Sequence, residues 1–198
     1  MKLLALRCPQ CGQRLEPQHN EAVVMVCSQC FTAVTMHQTG LQPIDVHYAA
    51  PSNDQVDGWL PFWLFHGRVN IQRRESQGSS KGADKEAAQL WQRVQRLYAP
   101  AWSQPAAQAR DLGRNLLQAQ PLFQTIPRPD EALLTEAVIA PEDSLKLLDF
   151  IILTIEAERK DMLRDLKFQI EAGVPALWAI PAQKKGDGPG AWQLAARV

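Results

Sequence analysis

All four cysteines of the chain fall in RCPQCGQRLEPQHNEAVVMVCSQC, residues 7–30, and their spacing constrains the fold more than any other feature. Two residues separate Cys8 from Cys11 and Cys27 from Cys30, and 15 residues lie between the pairs. A Cys-x2-Cys turn is short enough to aim both sulfurs at one ion, and a hairpin of this length returns the second pair beside the first. The intervening residues suit that hairpin. LEPQHNE is a polar turn segment with Pro17 and Asn20, EAVVMV is β-prone, and FTAVTMH after Cys30 alternates enough for a third strand. Gly12, next to Cys11, supplies permissive backbone at the end of the first metal-binding turn. A unit of about 40 residues rarely buries enough apolar surface to fold alone. Structural zinc contributes on the order of 10–16 kcal/mol in finger-like peptides. The expectation is one structural Zn2+ on Cys8, Cys11, Cys27 and Cys30, with iron of the rubredoxin kind and redox or disulfide chemistry as the competing uses.

Cys8-Pro9-Gln10-Cys11-Gly12 and Cys27-Ser28-Gln29-Cys30 resemble the knuckles of a zinc ribbon, over about residues 1–40. The resemblance implies that all four cysteines are metal ligands and that the shell is closed. Phe31 stands after the second knuckle where the regular form has Gly, a departure that spares the ligands. Zinc ribbons serve in transcription, translation, enzymes and adaptors, so the fold does not supply the function. Lys2, Arg7 and Arg14 against Glu16 and Glu21 leave the module a net charge of only +1, short of the basic footprint that phosphate binding needs. His19-Asn20-Glu21 mimics the His-x-Glu element of deaminases, but only five residues separate it from Cys27 and no Pro precedes that cysteine. His19 reads as a polar residue at a hairpin tip.

The chain has 198 residues, 45% hydrophobic and 21% charged, with 21 basic and 21 acidic side chains. That is enough for a small module plus one ordinary domain, and it creates no global field toward nucleic acid or anionic membrane. The apolar run of MKLLALRC is interrupted by Arg7, shorter than the h-region of a signal peptide. The longest apolar stretch, FIILTI, is far below the ~20 residues of a membrane span. A soluble protein of a reducing cytoplasm is the expectation. Charge is uneven along the chain. Residues 57–128 carry 10 basic and 5 acidic groups, a net of +5, and residues 129–171 carry 5 and 11, a net of −6. Opposed segments of this kind pair with each other, meet partners, or form solvated faces that merely differ in sign.

Beyond residue 40 the expected fold class is α+β: a small β zinc ribbon (1–40), a linker (41–58) and a mixed interaction domain (59–198) with an antiparallel sheet and about three helices. WLPFWLFHGRVNIQRR has the aromatic and β-branched density of a strand, with Pro61 at an edge or bulge, Gly67 at a second bulge, and His66 packed or at an edge. After the loop ESQGSSKGAD, helical spacing of Ala87, Leu90, Trp91, Val94, Leu97 and Tyr98 predicts a helix over 84–98, with Trp91 in the core. A second helix is predicted over 105–119, then a proline-punctuated connection, then a possible strand in EALLTEAVIA. Pro141-Glu142-Asp143 opens a third helix, apolar around much of its circumference. LRDLKFQIE alternates as a strand, and PALWAIPA and AWQLAARV form a hairpin around QKKGDGPG, whose glycines read as a turn and not a phosphate loop.

LPFW (60–63), APAW (99–102) and IPA (180–182) place Pro in strand-like segments near aromatics, as independent edge strands or as a degenerate repeat. LPFWLF, YAPAW and LWAIPA also resemble bacterial zinc-ribbon proteins of unassigned role; some of those are membrane-linked, an association for which this chain has no span. No nucleophile elbow, Walker loop, dinucleotide fingerprint or His-Glu-x-x-His occurs. Asp45 with His47 is a weak metal pair. Glu156, Glu158 and Asp161 near one helix end are the best acid/base candidates, although solvated helix faces commonly carry such groups. The leading expectation is therefore a non-catalytic zinc-ribbon adaptor or assembly subunit with a protein partner, using Trp59, Phe62, Trp63 and Phe65 as interface aromatics. The alternatives are a regulatory nucleic-acid-binding protein using Arg68, Arg73 and Arg74, and an enzyme whose site has no recognisable motif.

Overall fold

The computed structural model of the protein describes residues 6–37, 40–78, 80–130, 132–186 and 192–197. Lys2 of the ribbon, Ser79 of the predicted loop, and Gly188 and Gly190 of the predicted turn lie outside the described residues. The fold is α+β, as expected. The cysteine segment carries an antiparallel sheet of β1 (Val24–Val26), β2 (Ala33–His37) and β3 (Gly40–Pro43), in that order, with Met25 opposite Val34 and Thr35 opposite Gln42.

A second sheet is built from β4 (Val46–Ala49), β5 (Gly58–Gln77), β6 (Gln95–Pro100), β7 (Thr125–Ile126), β8 (Met162–Ala172), β9 (Ala176–Lys184) and β10 (Trp192–Leu194). Its order is β6-β5-β9-β4-β7, with β8 also on β5 and β10 also on β9. Every pairing is antiparallel except that of β4 with β9, which is parallel. The three helices among the described residues are α1 (Ser80–Trp91), α2 (Ala106–Ala119) and α3 (Pro141–Ala157).

The 20-residue β5 organises this sheet. Its first half, GWLPFWLF, is buried throughout, because apolar clusters cover both faces. Trp63 and Phe65 pack with Leu148, Ile151 and Ile152 of α3, while Leu60, Phe62 and Leu64 pack with Trp102, Leu116 and Ile180. A continuous apolar run is the signature of a strand buried on both sides. From His66 onward exposed and buried residues alternate, as one covered face requires. β9 pairs with Gly58–Leu64 and β8 with Gly67–Gln77, so two consecutive strands run back along one edge of β5. β6 flanks the other edge from Phe62 to Gly67.

α3 begins with Pro at its first turn and Glu142 and Asp143 beside the positive end of its dipole. It buries Leu148, Ile151, Ile152 and Ile155 against the sheet. The ribbon is joined to this body. Val23 and Val24 donate backbone hydrogen bonds to the Ala137 carbonyl at 2.7 and 3.1 Å, and Ala137 N–H returns one to Val24. Val24 and Ala33 belong to the same apolar cluster as Trp63 and Ile151.

Several expectations are corrected. The helix predicted over 84–98 ends at Trp91, and Gln95–Pro100 is β6. Leu97 and Tyr98 are fully buried as strand residues paired with Phe65 and Leu64, whereas Val94 is 70% exposed. The open edge of β5 outweighs the helical periodicity there. The 41–58 segment, expected to have little regular structure, forms most of β3 and all of β4, because β9 offers β4 a parallel partner. Residues 132–140 of the expected EALLTEAVIA strand are irregular, meeting β1 and β5 through isolated bridges at Ala137 and Leu134 and not through a ladder. Pro61 is interior: its carbonyl accepts from Ala101 N–H at the end of the β6 ladder, where a missing donor leaves no gap. The register shifts of β5 fall between Ile71 and Arg73 and between Glu75 and Ser76, not at Gly67. The three Pro-marked stretches lie on the neighbouring strands β5, β9 and the end of β6; β6 is an edge strand as expected, whereas β5 and β9 are paired on both sides. No described helix is long and apolar enough to cross a membrane.

Candidate metal centre

Two knuckles with the same hydrogen-bond pattern carry the cysteines. In the first, Cys8 C=O accepts from Gly12 N–H at 2.9 Å and Cys8 N–H donates to Gln13 at 2.8 Å. In the second, Cys27 C=O accepts from Phe31 N–H at 2.8 Å and Cys27 N–H donates to Thr32 at 3.0 Å. Each turn closes through a left-handed residue, Gly12 at φ 75° and Phe31 at φ 58°. Phe31 thus occupies the position equivalent to Gly12, at a backbone cost that glycine avoids. Its ring is 39% exposed and lies under the Arg128 guanidinium, 4.6 Å from the centroid.

The knuckles bring the four sulfurs together, all within 4.8 Å of one another. Cys8 and Cys30 Sγ are 3.6 Å apart, and so are Cys11 and Cys27 Sγ. A tetrahedral ion with metal–sulfur bonds of about 2.3 Å places its sulfurs roughly 3.8 Å apart, whereas a disulfide needs about 2.05 Å. This spacing suits metal ligands and not a disulfide. Cys8 and Cys27 are buried with Leu15 and Val34, and Leu6 and Leu41 pack around them. Hydrogen bonds from the Thr32 hydroxyl and backbone bring the Cys30 thiol down to about 6. Against a favourable backbone hydrogen bond from Gln13, desolvation and the neighbouring sulfurs push Cys11 up to about 12. Four thiolates at this separation repel one another, and a bound cation is what makes the set favourable. The cluster can therefore hold one metal ion with four sulfurs.

No other proposed site assembles in the same way. Trp59, Phe62, Trp63 and Phe65 are at most 4% exposed, so these aromatics are core and present no interface. Trp63 Nε1 donates to Ile139 C=O at 2.7 Å, and Trp59 meets Tyr48 edge to face. Arg68 pairs with Glu171 at 2.6 Å, and Arg73 with Glu75 and Asp165 at 2.5 and 3.3 Å. Arg74, its side chain 6% exposed, pairs with Asp84, Glu156 and Asp161 at 2.7–2.8 Å. Carboxylates thus engage all three arginines. Glu156 is fully buried and also accepts from Trp91 Nε1 and Arg159 Nε, both at 2.7 Å. Glu156 and Asp161 are structural anions of this network, while Glu158 pairs with Arg114 at 2.5 Å. His47 stacks on Trp178 with centroids 5.3 Å apart, and His66 is exposed on β5.

Sequence reasoning missed two contacts that set the ribbon's position. Glu136 accepts from the backbone N–H groups of Gln18 and His19 at 2.8 and 3.0 Å and meets His19 Nδ1 at 3.1 Å. The Arg128–Phe31 contact was equally hidden. Both join residues about 100 positions apart, with no local pattern to reveal them.

Fold and site together define an α+β chain with a four-cysteine, ribbon-like cluster able to hold a metal ion, fastened to a larger sheet. Compared with protein families, curated proteins and solved structures, the chain finds no match.

Proposed function

We propose that the protein is a non-catalytic adaptor or assembly subunit. In this reading one structural Zn2+ on Cys8, Cys11, Cys27 and Cys30 fixes a ribbon whose outer surface meets a protein partner within a larger complex. The observation that carries the reading is the four-sulfur cluster. An ion with four thiolate ligands has no open position for water or substrate, so it builds a surface and performs no chemistry. The burial of Glu156 and Asp161 against Arg74 supports the same reading, since neither carboxylate is presented to a ligand. Four reduced cysteines at one site fit a reducing compartment such as the cytoplasm.

With Trp59, Phe62, Trp63 and Phe65 in the core, the partner surface moves to the ribbon. Among the described residues, Phe31, roofed by Arg128, and Met36, 52% exposed, are its large exposed apolar groups. Aromatic and arginine side chains are the types that anchor interfaces. Tagged protein purified from the cells that make it, followed by mass spectrometry of what accompanies it, tests this directly. Phe31→Gly removes the ring while easing the left-handed backbone. That variant is expected to keep its metal and fold and to lose the partner. Wild-type protein that recovers no stable partner, or a Phe31→Gly variant that recovers the same one, would sink the reading.

A further inference from the structure

We infer that the outer edge of β8 is a self-association surface, pairing antiparallel with β8 of a second copy of this chain. Among the described residues β8 pairs only with β5, so its far edge carries unused backbone donors and acceptors. Over Asp165–Ala172 this strand is regular: the residue left over at the nearer register shift, Gln72, lies on β5. No proline interrupts β8. The residue left over on β8 itself, Arg164 at the farther shift, lies outside Asp165–Ala172, so the pairing segment carries none of the breaks that blunt an edge strand.

Self-complementarity of the side chains argues for a second copy. Phe168 and Ile170 face the apolar cluster and are only partly buried, while Lys167, Gln169 and Glu171 point to the opposite, exposed face. A two-fold axis perpendicular to the sheet at Gln169 places Lys167 of one copy opposite Glu171 of the other, twice. The same register sets Phe168 against Ile170 and Leu166 against Ala172 on the covered face. Moving the axis to Phe168 opposes Asp165 to Glu171, and moving it to Lys167 opposes the two lysines. An axis at Leu166 pairs Asp165 with Lys167 but runs the ladder into the irregularity at Arg164, and one at Ile170 pairs no charges. Charge and regularity together select the Gln169 register. Lys167 has no carboxylate partner among the described residues. Arg68 holds Glu171 from the β5 side and leaves its far side open. This association needs no other protein and is independent of the adaptor reading.

Sedimentation of the full chain over about 1–200 µM, bracketing the range expected of a small interface, tests the inference. Wild type is expected to move from the 22.2 kDa monomer to a dimer. Lys167→Glu and Glu171→Lys each create two like-charge pairs in a homodimer, so each alone should weaken association roughly tenfold or more. Mixed in equal amounts, the two variants should form a heterodimer of near wild-type strength, because both charge pairs are then opposite. Circular dichroism and metal content establish that each variant is folded. A wild type that stays monomeric throughout overturns the inference, even if it binds a strand from another protein. Dimers that ignore both substitutions, or variants that fail to rescue each other, overturn it as well.

Discussion

Gly67 lies where β5 meets both β6 and β8, opposite Gln95 on one side and Ala172 on the other. A Cβ at this position would lie 2.6 Å from the Glu171 carbonyl oxygen and 3.0 Å from Ala172 Cα, both backbone atoms with little freedom to yield. Gly67→Ala is therefore expected to destabilise the fold by about 1–3 kcal/mol, the usual range for forced overpacking, measured by urea unfolding. An unchanged midpoint would mean that the two strands can separate without cost. The glycine is visible in the sequence, but its reason is not, because the atoms it admits come from β8. Phe31 is a similar case. Its departure from the regular knuckle is legible, whereas its left-handed backbone and its Arg128 roof appear only in three dimensions.

At the scale of elements, Arg74 gathers α1, β5, α3 and the bend before β8 through Asp84, Glu156 and Asp161. Arg74→Met leaves Glu156 and Asp161 without their shared cation. Breaking a buried network of this kind costs about 3–5 kcal/mol, read as a fall in unfolding free energy at neutral pH. Hydrogen bonding to Arg74 holds the Asp161 carboxyl well below the usual carboxylate range. Its stabilising contribution is complete above the unfolded Asp value of about 4 and declines as pH falls toward the folded value. Asp161→Asn should accordingly flatten the loss of stability below about pH 4; an acid limb as steep as that of wild type would refute this role.

Elements were legible where one face or both faces were settled locally. The continuous GWLPFWLF run, the alternation of LKFQIE and the Pro-Glu-Asp start of α3 each announce their environment. β6 and β4 were not legible, because each is a strand on account of its neighbour. RLYAP follows a helix in helical register until the edge of β5 claims it, and VHYA has no pattern until β9 lies beside it. The four interface aromatics failed for a related reason. Residue type alone does not separate a strand buried on both faces from one that is exposed.

Across the whole molecule, part of the opposed charge of the two central segments is paired internally. Arg68, Arg73, Arg74 and Arg114 from the basic segment meet Glu171, Asp165, Glu156, Asp161 and Glu158 from the acidic one. The ribbon-like segment is tied to this body through Val24, Ala137 and Glu136, so a metal held by the four cysteines would stabilise more than the 40 residues around it. The clustering of the four cysteines was readable from spacing alone, whereas the docking of their module was not. The most direct test is metal analysis of the purified chain, with thermal unfolding before and after a zinc chelator. One zinc per chain is expected, together with a single unfolding transition that falls by about 10 °C or more when the metal is removed. A folded ribbon without metal, an equivalent of iron in its place, or a melting temperature indifferent to chelation would contradict the central claim.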